Sequence, residues 1–199
     1  MSDSASDEST ERLAVVLDYL AHGLSSGGRP AYDSSPAGFA IDVDDFSLYQ
    51  VAFDENERLT IGTRVTVEPP AARSVVERAT SIDFADLSSG ARSELEYVVE
   101  DLVDEDEDRF VGFYNDAQPI TLRLHQLNLL PGIGKKLRDT ILDQRKRKPF
   151  ESFEDLEARV QGLHDPKGII VERILDELRE DDLKYVIFVG QSPEAAESA

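Results

Sequence analysis

The sequence predicts an α+β protein. A small antiparallel β-barrel fills the N-terminal half, four helices paired as two hairpins fill the C-terminal half, and a last strand returns to the barrel. Three observations predict this. Short alternating apolar segments separated by turn residues recur between residues 12 and 82. From residue 88 to about 180 the apolar spacing becomes helical and is interrupted by two glycine turns, Gly132-Ile133-Gly134 and Gly162-Leu163-His164. Lys184-Tyr185-Val186-Ile187-Phe188-Val189 then reads as a strand standing alone, and a lone strand needs a sheet to join. The expected organisation is a disordered acidic tail over 1–11, the barrel over 12–82 and a helical connector over 83–117. A helical domain over 118–182, the returning strand over 183–190 and a disordered tail over 191–199 follow.

Arg12 to Leu20 alternates, with Leu13, Val15, Leu17 and Tyr19 on one face. Ser25-Ser26-Gly27-Gly28-Arg29-Pro30 opens a loop that continues to about Gly38. Phe46 to Phe53 is a second strand, closed by the turn Asp54-Glu55-Asn56-Glu57. Leu59-Thr60-Ile61 and Arg64 to Val67 continue the β pattern around Gly62, Pro69-Pro70 breaks it, and Val75 to Ile82 supplies a further strand. Strands at this spacing fit an OB-like or an SH3-like barrel, and the pattern does not separate the two. Such barrels bind single strands through exposed aromatics, for which Phe46, Tyr49 and Phe53, with Arg64 and Arg73, are candidates; barrel core is the stronger reading of the aromatics.

Ser88 to Glu107 is helical on the stripe Leu95, Val98, Val99, Leu102 and Val103. It ends in five consecutive acids, Asp104 to Asp108, read as a solvated helix end because the Gly and alternating ligands of a calcium loop are missing. The aromatic run Arg109 to Asp116 reads as a buried connector. Pro149 stops the second helix of the first hairpin. Ser152 N-caps the third helix, which buries Phe153, Leu156 and Val160, and Asp165-Pro166 opens the fourth, which buries Ile170, Ile174 and Leu178.

Composition bounds the function. The 199 residues carry 41 acids against 21 bases, a formal charge of −20, and no cysteine. Disulfides, thiolate metal sites and cysteine catalysis are thereby excluded. The three histidines, His22, His125 and His164, are not at ligand spacing, so neither a metal nor a cofactor is expected. No apolar stretch approaches membrane-helix length and Met1 to Asp7 has no basic-then-apolar signal, so a cytoplasmic, soluble protein with no membrane partner is expected. This acidic, lysine-poor composition resembles that of proteins from organisms that keep concentrated salt in the cytoplasm.

Against that background one island is basic. Arg123 to Lys148 holds eight Lys/Arg against Asp139 and Asp143, a local charge of +6. An even spread would put about three bases there. The island is built on Leu129-Leu130-Pro131-Gly132-Ile133-Gly134-Lys135-Lys136. Leu122, Leu127 and Leu130 fall on a predicted helix before the turn, and Leu137 and Ile141 on one after it. Pro131 ends the first helix, the glycines allow a tight turn, and the amides of Gly134, Lys135 and Lys136 become free donors for an anion at the second helix's start.

This octad resembles the helix-hairpin-helix motif of proteins that grip nucleic-acid backbones. The resemblance implies Gly132, Ile133 and Gly134 as the hairpin and Lys135 and Lys136 as phosphate-side residues. Arg138, Arg145, Lys146, Arg147 and Lys148 complete the predicted nucleic-acid-binding set. The second turn lacks the second glycine and Pro166 removes an amide donor, so it is expected to pack against the first rather than bind.

Glycosylases that carry such hairpins place a catalytic Asp shortly after them, and Asp155 lies at about that distance. Its neighbours do not match and Asp155 is already explained as a cap residue, so no catalytic residue is assigned and no enzyme is expected. The whole arrangement, from Arg109-Phe110-Val111-x-Phe113-x-Asn115 through the octad to Pro149-Phe150-Glu151-Ser152-Phe153-Glu154-Asp155, resembles an archaeal family of unknown function. Its members are labelled nucleotide- or RNA-binding. The resemblance covers about 12 to 190 and implies no established activity. A β-barrel with a compact hairpin and no catalytic set points instead to a non-catalytic nucleic-acid-binding protein, RNA in preference to DNA, linked to translation. Ribosomal or transcription-linked proteins are the candidate protein partners. The alternatives are an interaction scaffold that uses the hairpins structurally, and a DNA-repair-type enzyme subunit. In molar salt the Debye length is about 3 Å, so hairpin geometry is expected to matter more than the basic tail.

Overall fold

The computed structural model describes residues 11–23, 35–180 and 182–190. The tail expected over 1–11 apart from Glu11, the tail expected over 191–199, and most of the loop expected after Ser25 lie outside them. Two compact units form: Met1–Leu95 with Phe188–Ala199, and Glu96–Ile187.

The first unit is built on five strands: β1 (Arg12–Leu20), β2 (Ala37–Asp42), β3 (Leu48–Phe53), β4 (Arg64–Glu68) and β5 (Val76–Ser81). They lie in the order β4-β1-β2-β3-β5, every pair antiparallel, and curl into a half-barrel. Ala14, Val16, Ala40, Tyr49, Val51, Phe53, Val65, Val67 and Val76 form its core cluster. The face expected for β1 is therefore corrected. A bulge between Val16 and Asp18 breaks the two-residue period, so Tyr19 joins the side of Ala14 and Val16, while Val15 and Leu17 are buried on the other. Phe46, Tyr49 and Phe53 are all buried, Phe46 and Phe53 completely, and none offers a ring to a base. Leu59 to Ile61, expected as strand, is a loop that turns at Gly62 (φ +85°).

The helices are α1 (Ser89–Glu105), α2 (Glu107–Asp116), α3 (Lys135–Arg147), α4 (Phe153–Arg159) and α5 (Pro166–Arg179). Ser88 starts α1 by accepting the Ala91 amide on Oγ while its hydroxyl donates to Asp18 on β1, at 2.6 Å. The aromatic run read as a buried connector is the helix α2, which buries Phe110, Val111 and Tyr114. The acidic run falls across the α1–α2 junction. Within it, Glu107 accepts the Phe153 amide (2.7 Å) and Asp104 pairs with Lys167 (3.0 Å).

Two expectations for 118–190 are overturned. The four-helix count fails because the first hairpin helix is only one 3₁₀ turn, Gln126–Leu129. Thr121 Oγ1 accepts the Arg123 and Leu124 amides, and Ile120 N–H donates to Leu124 O, folding 120–124 into a tight loop instead of a helix. Pro131 then leaves no room for a second turn. The strand expected over 184–189 is irregular chain. Two of its backbone groups are taken by a buried pair on α5: Arg173 donates to Glu177 (2.8 Å) and to Tyr185 O (2.5 Å), and Glu177 accepts the Ile187 amide (2.9 Å). Within the first unit, Gly190 donates its amide to Asp45 O at 2.7 Å.

Candidate nucleic-acid interface

The turn before α3 is held from three sides. Ile133 N–H donates to Leu130 O (3.2 Å), Gly132 takes the left-handed φ of +73°, and the Ile133 side chain is buried. Asn128 donates its amide to Ile133 O (3.0 Å) and accepts Arg138 Nη1 (3.1 Å), whose other nitrogens engage Asp139. His125 closes the preceding 3₁₀ turn by accepting the Leu127 amide on Nδ1 (3.2 Å). Burial first, and then the charges of Arg145 and Arg138, hold its imidazole pKa below the ordinary value, which keeps that acceptor unprotonated.

Gly134 is the N-cap of α3 and provides no side-chain acceptor. Its own amide donates to Gly132 O (3.1 Å), so the free donors sit one residue later than expected, on Lys135, Lys136 and Leu137; the helical ladder begins with Arg138 N–H to Gly134 O (3.0 Å). Gly132, Gly134, Lys135 and Lys136 are exposed, and a Cβ on either glycine would meet nothing within 4 Å. The surface over these amides is bare backbone.

The predicted cations do not form one patch. Arg138 is consumed by Asn128 and Asp139. Arg145 donates to Tyr114 O (3.1 Å) and Ala117 O (2.9 Å), closing the C-terminus of α2, and its burial lowers its pKa from the ordinary arginine value. Lys146 faces Asp143 (3.5 Å) and Lys148 faces Glu151 (2.8 Å) in surface pairs. Among the described residues Lys135, Lys136 and Arg147 make no ion pair. Arg147 is about 17 Å along the helix from the other two, at 1.5 Å per residue. Asp155, the glycosylase-like position, accepts Arg159 (2.8 Å) and the Glu151 amide (3.2 Å), and the Arg159 hydrogen bond lowers its pKa.

A family model described as a protein of unknown function (DUF655) matches residues 10–190. The chain belongs to the DUF655 family. It is 38% identical over 180 residues to the uncharacterized protein MJ0038 of Methanocaldococcus jannaschii, a match covering 90% of this chain and 80% of that one. The crystal structure of Af1531 from Archaeoglobus fulgidus, also DUF655, superposes with a TM-score of 0.82 at 36% identity, covering 90% of this chain and 100% of that one.

In this DUF655 chain the second turn repeats the first. Leu163 N–H donates to Val160 O (3.1 Å), Gly162 has φ +89°, and Leu163 is buried as Ile133 is. The two turns meet at Leu137, whose Cδ2 lies 3.7 Å from where a Gly162 Cβ would stand. They differ at the helix start. Asp165, at φ +48°, folds its carboxylate over α5 and accepts the Gly168 amide (2.9 Å), and Pro166 has no N–H. The second turn is occupied by its own anion. Asn128, His125 and the Leu137 amide are the site residues that the sequence reading missed. Spacing gave no signal for His125 or Asn128, whose bonds depend on a 3₁₀ turn that the sequence reading took for α-helix.

Proposed function

We propose that this DUF655 chain is a non-catalytic nucleic-acid-binding protein that holds a phosphate through the amides of Lys135, Lys136 and Leu137, with Lys135 and Lys136 as the adjacent cations. The observation that carries the reading is the contrast between two matching turns. One helix start is closed by Asp165, whereas the other is capless, glycine-bare and flanked by unpaired lysines. On this reading residues 118–182, within the second unit, work as a helix-hairpin-helix domain in a chain that also carries an OB-like or SH3-like half-barrel. The target is RNA in preference to DNA, the setting is cytoplasmic and translation-linked, and the acidic surface suits molar salt.

The test is binding of RNA and DNA oligonucleotides, single- and double-stranded, at 0.2 and 2 M KCl. Gly134→Val covers the bare amides without touching the fold and is expected to weaken binding at least about tenfold at both salts. Neutralising Lys146, Arg147 and Lys148 together is expected to cost less than about threefold at 2 M, where counterion release is small. A larger loss from the neutralised tail than from Gly134→Val would sink the amide-grip reading, and unchanged affinity in both would favour a scaffold.

A further inference from the structure

We infer that the loop Gln118–His125 is a second contact element of the proposed nucleic-acid site, and that Leu122 at its tip is an apolar wedge that enters between bases. The inference rests on the nucleic-acid reading above and adds what that site contacts: base steps that can be opened, not backbone alone.

Leu122 is the most exposed large hydrophobic among the described residues, at 107% of its reference surface, against 67% for Tyr97, the next. Single exposed apolar residues are ordinary. This one differs in being held out. Pro119 and His125 form an isolated antiparallel bridge. The Ile120 and Thr121 amides both donate to Leu124 O (2.8 and 3.0 Å), and the Gln126 amide donates to Gln118 O (2.9 Å). Thr121 Oγ1 accepts two amides on the tip's far side, and Gln126 Oε1 accepts the Gln118 amide (2.6 Å). These bonds brace the loop backbone while Leu122 stands exposed at its tip, so much of the backbone ordering that a wedge needs is present before any partner arrives.

Charge selects the partner. From Ala117 to Arg138 the chain has no acid, although 41 of its 199 residues are acidic. Arg123, beside Leu122, is exposed and makes no ion pair among the described residues. The stretch leads through the 3₁₀ turn Gln126–Leu129 directly to Gly132 and the α3 amides. An apolar tip set in an acid-free segment that ends on phosphate donors matches a base stack bordered by phosphates, which apolar wedges are known to open. A lipid surface fits worse, since stable anchoring takes a broad apolar face or two independent signals, and one leucine with three separated cations supplies neither.

The full chain is titrated with an RNA hairpin carrying 2-aminopurine in its stem, whose emission rises on unstacking. Wild type is expected to raise the emission at least about twofold on binding. Leu122→Ser, at a position with no packing to lose, should abolish the rise and weaken binding about five- to tenfold; Leu122→Phe should restore the rise. Should Leu122→Ser keep both the rise and the affinity while Gly134→Val loses binding, the wedge is overturned and the amide grip stands. Absence of binding by wild type to any oligonucleotide overturns both. A Leu122→Ser defect confined to anionic vesicles or to a protein ligand overturns the wedge in favour of that surface.

Discussion

Arg145 reaches from the last turn of α3 to the backbone of Tyr114, placing Nη1 3.1 Å from its carbonyl and Nη2 2.9 Å from that of Ala117. Two carbonyls at the C-terminus of α2 thus receive a cation where the helix dipole is negative. Tyr114 in turn donates its hydroxyl to Pro166 O (2.9 Å), so α2, α3 and the start of α5 are tied through one residue. Arg145→Gln is expected to lower stability by about 2 kcal/mol, the scale of lost charge-assisted hydrogen bonds. Urea denaturation reads this, and nucleic-acid affinity measured on the folded fraction should change less than threefold.

The two glycines of the first turn should separate cleanly. Gly132 sits at φ +73°, so Gly132→Ala should cost about 1 kcal/mol of stability from backbone strain alone. Gly134 has φ −80° and ψ −179°, which any residue adopts, and open space at its Cβ position. Gly134→Ala should melt within a degree or two of wild type and still bind less tightly. Thermal melts beside a binding titration decide it; a Gly134→Ala loss of stability matching that of Gly132→Ala would show that the bare surface is structural.

His125 predicts a pH dependence. Its native pKa lies below the ordinary 6.5, so the unfolded chain takes up a proton near pH 6.5 that the native state refuses. Stability from this group is full above that pH and falls as the pH drops through it, levelling once the lowered native pKa is passed. Melting temperature should decline between pH 7 and 5.5. His125→Asn retains an oxygen acceptor for the Leu127 amide without titrating, and its melting temperature should be flatter across that window.

Gly38 on β2 is required by close approach. A Cβ there would sit on the Asp18 carbonyl oxygen and 2.9 Å from a Phe53 ring carbon. Asp18 is where the β1 bulge ends, so the carbonyl cannot withdraw without breaking the β1–β2 register. Gly38→Ala is expected to destabilise by about 3 kcal/mol, at the upper end for overpacking, seen as a fall in the urea midpoint.

The same strand shows what sequence alone can carry. Arg12 to Leu20 was legible as a strand because its composition alternates, but the bulge that redirects Tyr19 leaves no mark in a count of apolar residues. Ala37-Gly38-Phe39-Ala40-Ile41-Asp42 carries a loop signal as far as Gly38 and no strand pattern beyond it. It is buried on both faces, so neither alternation nor flanking turns announced it. Lys184 to Val189 has the apolar content of a strand, yet the Tyr185 carbonyl and the Ile187 amide are met by Arg173 and Glu177, a tertiary pairing invisible in local propensity. The turn Gly132-Ile133-Gly134 was legible to the residue. Its basic surroundings were legible only as a sum: charge counting cannot tell that Arg138 braces Asn128 or that Arg145 caps α2, because both roles depend on carbonyls and amides far away in the fold.

Asp165 has a consequence for valency. Two turns related by near-repetition would give a phosphate two equivalent seats, and a duplex could then be straddled, one strand to each. With its carboxylate bound to the Gly168 amide, the second seat carries a permanent internal tenant, and the pair offers a single vacancy. On the proposed reading, a lone copy then has one phosphate seat and the Leu122 tip to hold it. Long residence on a polymer would come from several copies side by side, each contributing one grip, and would rise steeply with protein concentration.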